Sequence, residues 1–351
     1  MAHVHRLRGR KRGAPHRRRG PLRSLAAASH GLLTPEQTAA LVKGRALELG
    51  FDACGITDLT PPPHAESLDH WIAQDMAGTM RYMHRQAAKR KEPGRILPGA
   101  TRAVMLTRYY ESADTPLEPG AGHVARYARG RDYHEALREP LASLTEYVKS
   151  LGTPDTVARW YVDAGPVPER ELAQRAGLGW IGKNTMLIDP ARGSYSFIAA
   201  VLTDVDLATD LPFEADRCGT CRRCLDACPT GAFSGERILD ANLCISYLTI
   251  EFKGEVDPTL AAKMGNWVFG CDDCQTVCPW NERFASDTGA LAAEPGLACL
   301  DLPGLAEIGD EEFQERLGAT PLTRPGAAGI RRNARIGLAN ARSQSGGMIQ
   351  E

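Results

Sequence analysis

The sequence predicts an α+β fold divided into a basic N-terminal arm, a mixed helix and strand domain, a cysteine-rich module and a helical C-terminal segment. Three observations support this division. From residue 34 to residue 202, segments with apolar residues at helical spacing alternate with short β-rich segments. Eight of the ten cysteines lie between residues 218 and 278, and the chain that follows is mostly helical in character. The predicted boundaries are 1–32 for the arm, then 33–210, 211–288 and 289–351.

The arm is strongly basic, whereas the rest of the chain is acidic. Nine of the 42 Lys and Arg residues fall in residues 1–30 without any Asp or Glu, so the remaining 33 basic residues face 43 acidic ones. Such an arm can bind nucleic acid electrostatically, and Arg17–Arg19 also fit a twin-arginine export signal. Because the stretch 22–33 contains Arg23 and His30, it is too polar for a secretory signal, and we expect a disordered arm. No run of about 18 apolar residues is present, so no membrane span is expected.

The mixed domain begins with a helix whose start is marked by three residues. Thr34 can cap it, Pro35 suits its first turn and Gln37 can complete a capping box, while Gly50 ends it. Leucine and valine at positions 137, 141, 144 and 148 recur at helical spacing, which predicts a helix packed on the core. The predicted helices cover 34–49, 68–86 with a break at Gly78, 134–150, 168–176 and 327–341, and the predicted strands cover 51–56, 102–110, 157–162 and 194–202.

Two breaks in this pattern predict backbone that faces a ligand. The strand 157–162 ends on Asp163, and Gly165 and Pro166 then turn the chain into the next helix. Further on, the stretch 177–183 contains three glycines. Glycines at this density indicate unusual backbone angles or the close approach of a ligand.

The cysteine-rich module begins with Cys218, Cys221, Cys224 and Cys228, and Pro229 follows the last of them. This is the C-x2-C-x2-C-x3-C-P spacing of bacterial ferredoxins, in which the fourth cysteine of a run ligates the other cluster. Two-residue gaps let a short loop reach three corners of an iron–sulfur cubane, and a distant cysteine closes the cage.

A second run, Cys271–Pro279, lacks one cysteine of this pattern, and Cys244 can supply it. The sequence thus predicts two 4Fe–4S clusters and leaves Cys54 and Cys299 as ordinary thiols. The alternatives are zinc and disulfides. Zinc knots need neither a third cysteine at two-residue spacing nor the proline, and disulfides suit small secreted domains. The expected ligands are Cys218, Cys221, Cys224 and Cys278 for one cluster, and Cys228, Cys244, Cys271 and Cys274 for the other.

Five further stretches are informative: Tyr127-Ala-Arg-Gly-Arg-Asp-Tyr-His134, Asp163-Ala-Gly-Pro-Val-Pro-Glu-Arg170, Gly177-Leu-Gly-Trp-Ile-Gly-Lys-Asn184, Tyr247-Leu-Thr-Ile-Glu251 and Asn266-Trp-Val-Phe-Gly-Cys-Asp-Asp273. Together with the cysteine spacing, they resemble epoxyqueuosine reductases, collinearly over residues 35–290. The resemblance implies a nitroreductase-like, reductive-dehalogenase-like domain that binds cobalamin. A bacterial two-cluster ferredoxin-like module and a short helical C-terminus are implied to follow it.

The resemblance implies a cobalamin-dependent oxidoreductase that catalyses the last step of queuosine biosynthesis. Members of the family reduce epoxyqueuosine to queuosine at the wobble position of tRNA. Electrons are implied to pass from an external low-potential donor, a flavodoxin or ferredoxin system, through two clusters to cobalt. The cluster that contains Cys218 and Cys278 is implied to lie nearer the cobalamin. The implied substrates are tRNAs with a GUN anticodon, and we expect a monomeric, cytoplasmic enzyme.

The resemblance assigns catalysis to Asp163, as the proton donor to the leaving epoxide oxygen. A carboxylic acid beside a bulky apolar cofactor can stay protonated near neutrality. From the residues alone, Asp163 could equally cap the helix that follows it. No D-x-H-x-x-G stretch is present, so cobalt is expected to lack a protein axial ligand. The residues implied to contact cobalamin are Arg126, Asp163, Asn184, Thr185, Ile198, Ser246, Cys271 and Asp272.

The chain departs from the family pattern in two places. It ends at Glu351, where many members continue with helical repeats that grip tRNA, and Arg108 stands where a small polar residue is expected. The alternatives are a reductive dehalogenase with the same cofactors, acting on a small organohalide, and an electron carrier with no chemistry of its own. The weak export signal and the Asp163 stretch favour the epoxide enzyme over the dehalogenase. The long segment 33–210 disfavours the carrier.

Overall fold

The computed structural model of the protein describes residues 33–110, 120–284, 291, 293–294 and 296–346, and the predicted arm lies outside them. No helix among these residues is long and apolar enough to cross a membrane. The helices are α1 (Pro35–Glu48), α2 (Ala65–Ala73), α3 (Arg81–Arg85), α4 (Ala87–Lys91), α5 (Tyr133–Ala136), α6 (Arg138–Ser150), α7 (Glu169–Arg175), α8 (Arg223–Asp226), α9 (Ile245–Ile250), α10 (Pro258–Ala261), α11 (Asp273–Thr276), α12 (Pro279–Phe284), α13 (Leu302–Glu307), α14 (Asp310–Leu317) and α15 (Gly326–Gly346). The strands are β1 (Ala53–Asp58), β2 (Arg102–Tyr109), β3 (Ala121–Val124), β4 (Ala158–Val162), β5 (Trp180–Ile181), β6 (Leu187–Ile188), β7 (Ser196–Thr203), β8 (Phe233–Gly235), β9 (Ile238–Leu239), β10 (Trp267–Phe269) and β11 (Cys299–Asp301).

A four-stranded antiparallel sheet forms the centre of the mixed domain, in the order β1-β2-β7-β4. Successive side chains of a strand point to opposite faces of its sheet. In β2, Val104 and Leu106 therefore pack into one apolar cluster, and Ala103 and Met105 pack into another on the opposite face. The two central strands are buried on both sides, which explains their continuous apolar sequence.

Helices cover both faces of this sheet. α1 and α6 bury their apolar stripes on one face, as the leucine and valine spacing of α6 predicts, and α7 packs on the other through Leu172 and Ala173. The predicted capping box of α1 is present. Thr34 Oγ1 accepts from the N–H of Gln37 at 3.3 Å, and Gln37 Oε1 accepts from the N–H of Thr34 at 2.9 Å.

A second sheet joins parts of the chain that lie far apart in sequence. Its order is β10-β3-β11, with β10 parallel and β11 antiparallel to β3. One strand comes from each of the segments 33–210, 211–288 and 289–351, so these predicted segments share backbone hydrogen bonds. α13, α14 and α15 cover this sheet and contribute Leu305, Phe313 and Ile330 to its core. The C-terminal segment is therefore not purely helical, because it supplies β11.

Most of the predicted helices and strands match observed ones to within two residues, with two exceptions. The predicted helix 68–86 is in fact α2 and α3, separated by a turn that contains Gly78 at φ 55°. The last helix continues to Gly346, five residues beyond its predicted end.

β5 and β6 form a hairpin whose turn, residues 182–186, reaches the cysteine-rich module. The glycines that precede and enter it allow the two strands to approach closely. A Cβ atom at Gly179 would lie 2.2 Å from the carbonyl oxygen of Ile188. Trp180, the next residue, is buried against Cys278. The hairpin therefore depends on glycine at position 179.

Gly179→Ala should lower the free energy of unfolding by about 1–3 kcal/mol, because the added methyl group overlaps the Ile188 carbonyl. Gly44→Ala is the matched control. It lies inside α1 with no atom within 4 Å of the added methyl group, and alanine is favoured there by about 0.5–1 kcal/mol. Thermal unfolding followed by circular dichroism measures both changes. A Gly179→Ala protein as stable as wild type would contradict this account of the hairpin.

Candidate active site and cluster module

Asp163 directly follows β4 and has a left-handed backbone conformation, with φ 45°. For a residue other than glycine this conformation costs about 1–3 kcal/mol, and it persists only where surrounding contacts impose it. The side chain is exposed and does not cap α7, whose N-cap residue is Pro168. The turn 163–168, which we call the Asp163 loop, therefore presents a carboxyl group at the end of the central sheet.

Tyr133 holds the side chain of Asp163. Its hydroxyl group donates to Asp163 Oδ2 at 2.5 Å. The phenol ring is buried between aromatic neighbours and stacks on Phe197 and on His134, each with ring centroids 4.2 Å apart. Burial raises the pKa of Tyr133, and the charge of Asp163 and the hydrogen bond to it raise the pKa further. The phenol therefore stays protonated and acts as a donor at neutral pH.

Glu169 and Arg90 hold the backbone of the Asp163 loop. Glu169 Oε1 accepts from the N–H of Asp163 at 2.8 Å. Arg90 donates to the carbonyl oxygens of Gly165 at 3.2 Å and Val167 at 3.3 Å. Burial raises the pKa of Glu169, and the charge of Asp163 adds to this, while the N–H of Asp163 and the Arg90 guanidinium oppose it.

A chain of contacts runs from α7 to the cluster module. Arg170 NH1 donates to the carbonyl oxygen of Thr185 at 2.6 Å and to its hydroxyl group at 3.1 Å. Thr185 has a left-handed conformation, with φ 68°. The preceding residue, Asn184, is buried and donates from Nδ2 to the carbonyl oxygen of Cys274 at 3.2 Å. The predicted residues Asn184 and Thr185 thus lie between Asp163 and a predicted cluster ligand.

Arg126 and Asp272 form a buried pair, and Asp272 lies in the same segment as Cys274. Asp272 Oδ2 accepts from the N–H of Arg126 at 2.7 Å, and the guanidinium NH1 lies 3.6 Å from the same oxygen. Arg126 NH1 also donates to Tyr195 and Thr276. Asp272 Oδ1 is buried, with no hydrogen-bond partner within the described part of the chain. Cobalamin carries amide groups around its corrin ring, and an amide N–H would suit this acceptor.

Ile198 and Ser246, also implied to contact cobalamin, have less direct support. Ile198 lies half-buried on β7, beside Phe197. Ser246 lies on α9, and its backbone N–H points to the sulfur of Cys244. Its hydroxyl group makes no hydrogen bond with any residue that the structure describes. Contact of these two residues with cobalamin stays a prediction.

The eight predicted cluster ligands form no disulfide, and four of them form one set of thiols. Burial raises the pKa of Cys224 to about 11, and the neighbouring sulfurs of Cys278, Cys218 and Cys221 add to this rise. Cys218 and Cys221 likewise raise the pKa of Cys278, after burial. The three thiols of the first run therefore lie near the last cysteine of the second run.

The other four thiols form a second set. Burial raises the pKa of Cys274, and Cys244 and Cys228 are among the charges that raise it further. Burial also dominates the raised pKa values of Cys271, beside Cys274, and of Cys244, beside Cys228. Cys224 contributes to the raised pKa of Cys274 as well, so the two sets adjoin. This grouping supports the predicted partition of ligands.

Hydrogen-bond donors reach the sulfurs of Cys218 and Cys228. Trp180 Nε1 donates to Cys218 Sγ at 3.4 Å, and the N–H of Ala232 donates to Cys228 Sγ at 3.3 Å. Donors of this kind orient thiolate ligands and tune cluster potentials. Two sets of unpaired thiols with such donors fit two 4Fe–4S clusters.

Comparison with known proteins agrees with this geometry. The family model "Epoxyqueuosine reductase QueG, DUF1730" matches residues 90–164, and the "4Fe-4S double cluster binding domain" matches residues 217–281. An epoxyqueuosine reductase of Pseudomonas aeruginosa is 42% identical over 317 residues, which are 88% of this chain and 87% of that protein. A solved epoxyqueuosine reductase with a tRNA-Tyr epoxyqueuosine-modified stem loop is 34% identical, with a TM-score of 0.78 over 87% of this chain and 82% of that chain. The Bacillus subtilis enzyme, solved with the loop of its catalytic aspartate swung out of the active site, is 33% identical with the same TM-score and coverage.

A mixed domain that is hydrogen-bonded to a double-cluster module defines an iron–sulfur oxidoreductase. More narrowly, the chain belongs to the epoxyqueuosine reductase family. The predicted fold class is confirmed, and the double-cluster match confirms the two predicted 4Fe–4S clusters, whereas cobalamin stays a prediction.

Sequence reasoning missed the residues that hold the Asp163 loop. Glu169 lies within a stretch that resembles the family, yet its partner is a backbone N–H, which leaves no sequence signal. Arg90 lies in the basic run 81–95, where nothing distinguishes it from its solvent-exposed neighbours.

Cys244→Ala should lower the iron content from ~8 to ~4 atoms per chain, because one of two cubanes loses a ligand. Cys54→Ala is the control. Cys54 lies on β1, outside both sets of thiols, and should keep ~8 iron atoms. Iron and sulfide analysis of anaerobically reconstituted protein measures the difference. About four iron atoms in the wild-type protein would contradict the two-cluster assignment.

Proposed function

We propose that this protein reduces epoxyqueuosine to queuosine at the wobble position of tRNA, with Asp163 as the proton donor. The observation that carries the proposal is the chain of contacts from Asp163 through Glu169, Arg170 and Thr185 to the cluster module. These contacts join the loop that carries the exposed Asp163 to the backbone of the predicted ligand Cys274. The family and the solved complex with an epoxyqueuosine-modified stem loop support this substrate.

The reaction needs electrons and protons in equal number. Conversion of an epoxide to an alkene and water consumes two electrons and two protons, breaks both carbon–oxygen bonds and forms a carbon–carbon double bond. Bound cobalamin supplies a strongly reducing cobalt that can deliver electrons to carbon. The two clusters would supply it with electrons from an external low-potential donor, a flavodoxin or ferredoxin system. We expect a monomeric enzyme of the cytoplasm, where its tRNA substrate is found.

Five side chains suit the task of holding cobalamin. Asp272 offers a buried oxygen without a partner in the described residues, and Arg126 fixes the other oxygen of that carboxylate. Asn184 and Thr185 lie in the β5–β6 turn, where Asn184 donates to the carbonyl oxygen of Cys274, two residues after Asp272. Ile198 would add apolar contact from β7.

Asp163 would deliver its proton from Oδ1. Because Oδ2 already accepts the hydroxyl proton of Tyr133, Oδ1 is the oxygen free to carry a transferable proton. Once Asp163 has lost that proton, the hydrogen bond from Tyr133 stabilises the resulting carboxylate. The exposed position of Asp163 lets solvent supply the second proton.

The contacts favour one order of the two clusters. Cys271 and Cys274 flank Asp272, and Cys274 contacts Asn184, so their cluster adjoins the residues expected to hold cobalamin. Cys218 lies instead beside the exposed residues 219–220. We therefore propose that electrons enter at the cluster of Cys218, the reverse of the order that the family resemblance implied.

Asp163→Asn should slow turnover at least about a hundredfold, because general acid catalysis contributes about 10²–10⁴ in rate. The amide keeps the shape of the side chain but cannot release a proton at neutral pH. The variant should retain cobalamin and both clusters, as measured by absorbance and iron content. The rate is measured in a single turnover with pre-reduced enzyme, so that electron supply does not limit it.

Asp155→Asn, a change of an exposed aspartate outside the site, serves as the control and should leave the rate unchanged. A wild-type single-turnover rate in Asp163→Asn would contradict the assignment and would make Asp132 or Tyr133 the next candidate.

Three exposed cations on α3 and α4 suit the phosphates of the tRNA. Arg81 and Arg85 lie one turn apart on α3, with Cβ atoms about 5–6 Å apart, and Lys89 lies on α4; we call these three residues the cationic row. Gln86 joins the two helices, because its N–H bonds to the carbonyl oxygen of Tyr82 and its carbonyl oxygen accepts from the N–H of Arg90. None of the three side chains has an ion-pair or hydrogen-bond partner among the described residues. From the same helices, Arg90 holds the Asp163 loop and Tyr82 lies within electrostatic range of Asp163.

Neutralising the cationic row with Arg81→Gln, Arg85→Gln and Lys89→Gln should weaken tRNA binding. The slope of log affinity against log salt should fall by about 2 to 3, because each phosphate contact contributes about 0.7 to 0.9. The single-turnover rate at saturating tRNA should stay unchanged. Filter binding between low and physiological salt measures the slope.

The control is a triple variant that removes the same charge elsewhere, Arg45→Gln, Lys149→Gln and Arg316→Gln. Each of these cations pairs with a glutamate on its own helix. An equal loss of slope in both triple variants would show that net charge matters rather than the row.

A further inference from the structure

We propose that Glu169 is a positioning residue, which together with Arg90 holds the Asp163 loop in the conformation that presents the acid to the substrate. This inference rests on the proposed function, because it takes Asp163 as the proton donor. It concerns the backbone of the loop, whereas Tyr133 fixes only the carboxyl group.

Glu169 takes the place of a strand partner for Asp163. The pairing of β4 with β7 ends at Val162 and Ala199, so the N–H of Asp163 has no partner in the sheet. Glu169 Oε1 accepts this N–H at 2.8 Å. The bond occurs together with the left-handed conformation of Asp163, whose φ is 45°. Glu169 thus supplies one of the contacts that a strained conformation needs in order to persist.

Arg90 ties the same loop to a separate element. It projects from α4 and donates to the carbonyl oxygens of Gly165 and Val167, two residues apart in the loop. Its charge also lies close enough to Glu169 to lower the pKa of that carboxyl group, against the effect of burial. The loop is thus held at its first residue by Glu169 and at two later residues by Arg90.

The size of the effect follows from the bonds involved. Removal of the only acceptor of a backbone N–H shifts a two-state equilibrium about 10- to 100-fold, because the N–H is left unsatisfied. Loss of the Glu169 acceptor should therefore move the loop towards conformations in which Asp163 no longer faces the substrate. Turnover should fall by about the same factor, while the affinity for tRNA stays the same.

The test compares two variants in the holoenzyme. Glu169→Gln keeps an oxygen that can accept the N–H of Asp163, and Glu169→Leu removes it with little change of size. The first readout is amide hydrogen exchange of the peptide that contains residues 163–167, which reports local opening. The second is the single-turnover rate of pre-reduced enzyme with saturating epoxyqueuosine tRNA.

We expect Glu169→Leu to raise the rate of hydrogen exchange of the loop amides and to lower the single-turnover rate, each by at least about tenfold. Glu169→Gln should stay within about threefold of wild type in both readouts. The control Glu171→Gln, on the same helix and without a hydrogen-bond partner in the described residues, should change neither. Unchanged exchange and rate in Glu169→Leu would overturn the inference. A Glu169→Gln enzyme as impaired as Glu169→Leu would overturn it too, because the acceptor oxygen would then not suffice.

Arg90→Met provides a second, independent variant if Glu169→Leu does not fold. It should deprotect the same peptide. Where both single variants fold, the double variant should be less impaired than the two separate effects predict, because both act on one loop. Unchanged protection in Arg90→Met would show that Arg90 does not hold the loop and would overturn the inference. If wild-type enzyme does not convert epoxyqueuosine tRNA, the proposed function fails, whereas hydrogen exchange still decides whether Glu169 and Arg90 hold the loop.

Discussion

The buried pair of Arg126 and Asp272 fixes the cluster module against the catalytic domain. Asp272 lies between two predicted cluster ligands, Cys271 and Cys274, and Arg126 belongs to the 3₁₀ turn after β3. Removal of one partner of a buried ion pair costs about 3–5 kcal/mol, because the other charge is left uncompensated. The parallel pairing of β3 with β10, which ends just before Cys271, holds the same two segments together. Electron transfer depends steeply on distance, so this joint is a condition for the proposed chemistry.

The turn of the β5–β6 hairpin links the Asp163 loop to the segment that contains Asp272. Asn184 contacts the backbone of Cys274, Thr185 contacts Arg170 of α7, and α7 begins at the residue that holds Asp163. The predicted proton donor and the cluster module are therefore parts of one hydrogen-bonded framework rather than of two bodies that must meet. The strained conformation of the Asp163 loop can persist because contacts within this framework impose it.

Features that depend on residues close together in the sequence could be predicted, whereas features that depend on distant partners could not. The cysteine runs, the capping box at Thr34 and the apolar stripe of α6 belong to the first kind. The sheet β10-β3-β11 could not, because its strands have only three or four residues and come from three separate segments. Glu169 was missed for a related reason: its role lies in a contact with a backbone N–H, and a side chain that bonds to backbone leaves no pattern. Asp163 was found through the family resemblance, since its strand-end position alone also fitted a helix cap.

The central claim is that this chain couples two-electron reduction to removal of the epoxide oxygen. The most direct test is an anaerobic titration of the wild-type holoenzyme with a measured number of reducing equivalents in the presence of epoxyqueuosine tRNA. Queuosine in the digested tRNA would be quantified by mass spectrometry. The account predicts one queuosine for every two electrons supplied beyond those that the clusters and cobalamin retain. Oxidation of the reduced enzyme by the tRNA without formation of queuosine would contradict it.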